Sequence, residues 1–70
     1  MVKKIIDLTG TSTTSIEDAV ALAISRASVT ISGIRDAVIT ETRALVEDGR
    51  VTGWKVTLRV TFEIKDRLHE

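Results

Sequence analysis

At 70 residues the chain is long enough for one domain, and a domain this short buries only about 60% of the surface its unfolded chain exposes. With no cysteine and a single histidine, disulfides, thiolate centres and a zinc site built from several imidazoles are excluded, which leaves subunit association as the way to staple so small a core. Ten basic residues balance ten acidic ones and only one Trp and one Phe are present, so neither the basic stripe nor the stacking platform of a nucleic-acid binder is available.

No apolar run approaches the roughly 20 residues that a membrane helix requires. The opening Met1 to Ile6 is basic and then briefly apolar, too short for the apolar stretch of a secretory signal, so a cytoplasmic location is expected. Without proline or a low-complexity linker, residues 1–70 read as a single domain.

Lys3 to Leu8 reads as a first strand, β-branched at Ile5 and Ile6. The seven small or hydroxyl residues from Thr9 to Ser15 read as a turn. Ser15 is the expected helix N-cap: its hydroxyl suits the backbone N–H of Asp18, and Glu17 and Asp18 favour the positive helix start. Ile16, Val20, Ala23, Ala27 and Ile31 recur at helical spacing, with Ala19 and Ile24 beside them, so the helix is expected over 16–31. Its stripe is rich in alanine, and small residues let a helix lie close against a sheet. Gly33 is placed to end the helix in the left-handed conformation.

A second strand is expected over 37–47, on the β-propensity of Val38, Ile39 and Thr40, although no clean alternation follows them. Asp48-Gly49 is a strong two-residue hairpin signal. The third strand, Val51 to Lys65, alternates throughout: Trp54, Val56, Leu58, Val60, Phe62 and Ile64 on one face, Lys55, Thr57, Arg59, Thr61, Glu63 and Lys65 on the other. The fold class is therefore α+β, of order β-α-β-β. Strands of this length exceed what one helix can cover, and uncovered strands with free edges ask for neighbouring chains.

These blocks together resemble the dodecin family. The resemblance rests on Leu8-Thr9-Gly10-Thr11-Ser12 followed by Ser15 and an alanine-rich helix. It rests also on Asp48-Gly49 followed by Trp54-Lys55-Val56-Thr57-Leu58-Arg59-Val60-Thr61-Phe62-Glu63-Ile64. It covers nearly the whole chain. It implies an antiparallel sheet wrapped around one helix, a hollow homododecamer, and binding of a flavin (riboflavin or FMN) without catalysis. In such proteins a Trp near the start of the second strand stacks on the flavin ring, and a Gln in the third strand hydrogen-bonds its polar edge. Counted back from Asp48-Gly49, the position of that Trp holds Asp36, and the position of the Gln holds Lys55. A carboxylate has no π-face, and Lys donates without accepting. As flavin ligands Asp36 and Lys55 are expected not to function, and the chain resembles the branch that lacks the stacking Trp, some members of which bind calcium.

Beside these positions stand plainer readings. Trp54 follows the inward parity of Val56 and Leu58 and reads as core or interface packing. Through the two-residue loop, Asp36 falls opposite Thr61 and diagonal to Arg59, within reach of a charge pair. Glu41, Glu47 and Asp48 offer oxygen ligands to calcium but do not follow an EF-hand loop, so the metal ligands are left unassigned. Ser12 and Ser15 lack a credible His partner, because His69 belongs to a solvated tail. Gly10 sits in no phosphate loop, which needs a second Gly and a Lys. The function expected is that of a non-enzymatic homo-oligomer for storage or buffering of a small molecule, with flavin binding lost or weakened. The alternatives are a flavin binder using other contacts and a calcium- or ion-binding shell. Neither nucleic acid nor membrane is an expected partner.

Overall fold

The computed structural model describes residues 2–64. The chain forms β1 (Val2–Ser12), α1 (Ile16–Ala27), β2 (Ile34–Glu47) and β3 (Arg50–Ile64), in the expected β-α-β-β order. The three strands form one antiparallel sheet in the order β1-β3-β2, so the alternating third strand is central and the other two are edges. The expected continuation of β3 to Lys65 and the solvated tail at His69 lie outside the described residues.

β1 runs four residues beyond the expected Leu8. Thr9, Gly10, Thr11 and Ser12 pair with Thr57, Val56, Lys55 and Trp54, because the long β3 offers partners to residues that alone read as a turn. The turn proper is short and held by Ser12, whose buried hydroxyl accepts from the amides of Thr14 (2.9 Å) and Ser15 (3.4 Å). Ser15 caps α1 as expected, accepting from the Asp18 amide at 2.9 Å.

The helix stops at Ala27 rather than Ile31. Ser28, Val29, Thr30 and Ile31 combine β-branched and hydroxyl side chains of low helix propensity. They close a turn instead, with Thr30 and Ile31 both donating to the carbonyl of Ala27. Gly33 does take a positive φ (78°), but in the connection to β2 and not at the helix end. There its carbonyl accepts from the amide of Glu63 at 3.1 Å.

α1 lies over β1 and β3. Ala19 and Ala23 are buried against Val56, Leu58 and Val60, with Ile6, Leu8, Ile16, Val20, Ile24, Ile34 and Ala37 around them. Gly10 makes this approach possible: a Cβ there would stand 2.5 Å from the carbonyl oxygen of Ala19 and 2.9 Å from the Cβ of Ala23. The alanine stripe and the glycine are two halves of one close contact. Phe62 and Trp54, at the ends of the same row on β3, are half-buried, and Ile64 is exposed.

β2 begins at Ile34, three residues earlier than expected, and its register explains why its alternation is hidden. It carries an extra residue at Arg35 and another at Thr40, while β3 carries one at Thr52. At two of these bulges the extra residue is a Thr that donates across the pair, Thr40 to the carbonyl of Thr57 (3.2 Å) and Thr52 to that of Leu45 (3.3 Å). The hydroxyl supplies the donor that the disrupted ladder lacks. With Arg35 and Thr40 set aside, β2 alternates: Ile34, Ala37, Ile39, Thr42, Ala44 and Val46 share the helix side, opposite Phe62, Val60, Leu58, Val56, Trp54 and Val51. The hairpin turns at Asp48-Gly49 with φ of 51° and 76°, the doubly positive conformation of a type I′ turn.

Candidate functional site

The sheet face turned away from α1 carries the two positions singled out from the sequence. Asp36 is opposite Thr61, as expected, because the extra residues at Thr40 and Thr52 lie on opposite strands and cancel in the register. Lys55 lies opposite Arg43 on β2 and Thr11 on β1. Both are exposed and on the same face, but six residues of β3 separate Thr61 from Lys55, about 20 Å at the rise of an extended strand. One chain therefore does not bring them together.

The charges of this face are arranged in local pairs. Arg59 donates to its directly opposite neighbour on β1, Asp7, at 3.2 Å. The diagonal pair of Arg59 with Asp36 is thus replaced by a direct cross-strand one, which is closer by strand geometry. Arg35, the bulged residue at the start of β2, reaches Glu63 at 3.0 Å, and Arg43 pairs with Glu41 at 2.6 Å. These pairs are largely open to solvent and add little to stability.

The chain's only Trp and only Phe both project to the other side. Trp54 pairs with Ser12 and Ala44, and Phe62 with Lys4 and Ile34, in the row that contains the buried Val56, Leu58 and Val60. The face bearing Asp36 and Lys55 therefore offers no aromatic ring. Thr61 and Val38 are the neighbours of Asp36 there, and neither replaces a stacking partner. On this face of the protomer a flavin ring would meet no aromatic stacking partner.

Oxygen donors are equally dispersed. Glu41 is engaged by Arg43, whereas Glu47 and Asp48 sit at the hairpin turn. Among the described residues no group of three His, Cys, Asp or Glu is gathered. The buried hydroxyl of Ser12 donates to the carboxylate of Asp18 at 2.6 Å, a contact that pins the turn to the helix. It has no imidazole beside it among the described residues, whose sequence contains no His. Two open clefts flank the core, one of about 470 Å³ between β1 and α1 beside Gly10 and Arg26, the other of about 590 Å³ at the Gly33 end of the sheet. Neither is lined by Asp36 or Lys55. No helix among the described residues is long and apolar enough to cross a membrane.

Sequence reasoning did not find the uncovered apolar row of β2. Its signal was present in Ile39, Ala44 and Val46, but the extra residues at Arg35 and Thr40 throw each segment out of phase with the next.

The dodecin family model matches residues 2–65. The chain belongs to the dodecin family. A calcium dodecin from Mycobacterium tuberculosis is 40% identical over 65 residues, spanning 91% of this chain and 90% of that protein. The crystal structure of the calcium dodecin from that organism, described as calcium-chelating, superposes with a TM-score of 0.82 at 34% identity, over 96% of each chain. Dodecin from Streptomyces coelicolor superposes with a TM-score of 0.87 at 31% identity, over 93% of each. The sheet and the one helix of the described residues thus match the dodecin fold, as the resemblance implied.

Proposed function

We propose that this dodecin is a non-enzymatic homo-oligomer, acting in the cytoplasm as a store or buffer for a small ligand, in which flavin binding is lost or much weakened. One observation supports the flavin part of this reading: both aromatic side chains face the helix side, while Asp36, which by count from Asp48-Gly49 takes the place of the family's stacking Trp, is an exposed carboxylate on the other face. Stacking of aromatic pairs contributes about 0.5–1.5 kcal/mol beyond area burial, so a flavin that loses two such partners should bind about five- to 150-fold more weakly from lost stacking alone. The single domain over 1–70 associates into a closed assembly, for which the dodecamer is the expected form. Titration of the protein into riboflavin or FMN, followed by fluorescence quenching, tests this reading. Wild type should quench weakly or not at all, and Asp36→Trp combined with Lys55→Gln should restore binding. Quenching by wild type at submicromolar concentration would show that other contacts hold the ring.

A second reading, favoured by the 40% identity to a calcium dodecin, is a calcium-binding shell. Because the carboxylates of the described residues are dispersed within one chain, such a site would take oxygen ligands from more than one copy, and calcium affinity should vanish when the assembly is dissociated. Calorimetric titration of calcium into assembled and dissociated protein measures this.

A further inference from the structure

We propose that Asp48-Gly49, besides turning the hairpin, is a site of spontaneous backbone modification, at which the aspartate converts through a succinimide to isoaspartate.

The chemistry needs an aspartyl carboxyl and the amide nitrogen of the next residue. That nitrogen attacks Cγ: the N–Cγ bond forms, the Cγ–OH bond breaks, and the hydroxyl leaves as water with the amide proton. Water then reopens the ring. Breaking the bond from nitrogen to Cγ restores aspartate. Breaking the bond from nitrogen to the α-carbonyl carbon leaves the chain running through Cγ, with the α-carboxylate as the side group. The water lost is regained, so composition is unchanged and no other reactant is needed. A side chain on the following residue crowds the attack, and a hydrogen bond that holds its amide or the carboxylate opposes it.

The chain has no asparagine, and of its five aspartates only Asp48 precedes a glycine. Asp7 is held by Arg59. Asp18 accepts from Ser12, and the amide that follows it, that of Ala19, donates to the Ser15 carbonyl at 3.1 Å. Asp36 leads into Ala37, inside β2 and opposite Val60. Asp48 is exposed and joins none of the ion pairs of the described residues. The hairpin closes on the pair Glu47 and Arg50, so the Gly49 amide lies outside the ladder, and no backbone bond of the turns engages it. A Cβ on Gly49 would meet nothing within 4 Å, which leaves room for the ring.

Closing the ring requires the turn to leave its type I′ geometry, and the fold makes that departure cheap here. β1 pairs with β3 only as far as Ser12 opposite Trp54, so residues 45–53 form a two-stranded arm, and none of them belongs to the core beneath α1. Two strands alone are marginal in water and open locally. Asp48 also starts from a φ of 51°, a left-handed conformation unfavourable to a residue with a Cβ. The isoaspartyl chain is one main-chain atom longer at the tip, so the two-residue loop no longer matches its closing pair and the arm loosens.

Folded wild-type protein and the isolated tryptic fragment 44–50 should be aged side by side near neutral pH, and the protein then digested and mapped by liquid chromatography and mass spectrometry against unaged protein. Fragment 44–50 of the aged protein should gain a second species of equal mass, preceded by one lighter by a water, and the second species should resist a protease that cuts before aspartate. Fragments 5–26 and 36–43, which hold Asp7, Asp18 and Asp36, should keep one species each. Asp48→Asn should gain the isomer faster, since ammonia leaves an amide more readily than water leaves a carboxylate. Asp48→Glu, whose ring would be one atom larger, should gain no new species. Aged wild type should show faster amide exchange over 45–53 and unchanged exchange beneath α1. A folded protein that stays unmodified while the isolated fragment converts overturns the proposal, because the turn then shields its own amide. Equal conversion of fragment 36–43 overturns the assignment to this site, and an isomer that leaves exchange over 45–53 unchanged overturns the loosening of the arm.

Discussion

The two halves of the sheet are built on the same rule and meet different fates. Around β1 and β3 the apolar row is closed over by α1, and Val56, Leu58 and Val60 have no exposed surface at all. Along β2 the matching row of Ile39, Thr42, Ala44 and Val46, apolar at all but Thr42, stays open. Patterning decides which face of a strand turns inward, but it does not supply the cover. Here the length of the helix does, and it runs out before the hairpin does.

Substitutions sharpen this contrast, compared at fixed protomer concentration because association and stability are linked. In the covered half, Leu58→Ala removes a fully buried side chain beneath the helix and should cost about 2–5 kcal/mol in urea unfolding. A loss under 1 kcal/mol would show that the helix does not seal this row. Gly10→Val should follow at about 1–3 kcal/mol, because its Cβ collides with the backbone of Ala19 and with Ala23, and the helix must lift. Thermal melts should show it clearly less stable than Gly49→Ala measured beside it, if steric crowding outweighs the left-handed strain at Gly49, around which a Cβ meets nothing within 4 Å. In the open half, Thr40→Val deletes the donor to the Thr57 carbonyl and should cost about 0.5–1.5 kcal/mol. Proton exchange at neighbouring amides would register the loosened bulge. Smallest of all, Asp7→Asn on the outer face should change stability by roughly 0–1 kcal/mol, and less in high salt, since its pair with Arg59 is solvated.

Much of this was legible in the residues. The unbroken alternation from Trp54 to Ile64 gave β3 and its faces, Ser15 gave the cap, and Asp48-Gly49 gave the turn, each because a local rule decides it. Phe62 and Ile64 followed the parity but not the depth, since burial depends on the reach of the helix. What could not be read were features set by long-range pairing. β1 extends to Ser12 because β3 is there to receive it, and the phase of β2 changes at Arg35 and Thr40 because bulges are fixed by the ladder. The site was legible in position but not in arrangement. Asp36 falls opposite Thr61 as counted, yet Arg59 chooses Asp7, and the distance from Asp36 to Lys55 appears only when the strands are laid side by side.

The extra residues of the hairpin have one more effect, on curvature. A bulge bends its strand and tightens the local twist, whereas removing the bulged residue leaves the pairs on either side in place. Deleting Thr40 would keep Ile39 opposite Leu58 and Glu41 opposite Thr57, with every side chain on its present face. What would change is the angle at which the arm leaves the body of the protomer. In a ring or shell that angle sets how many copies meet before the surface closes on itself. The copy number of such a particle would then be written in a backbone irregularity and not in the chemistry of the contacts. Native mass spectrometry of the Thr40 deletion should find an assembly of altered size held by unaltered side chains.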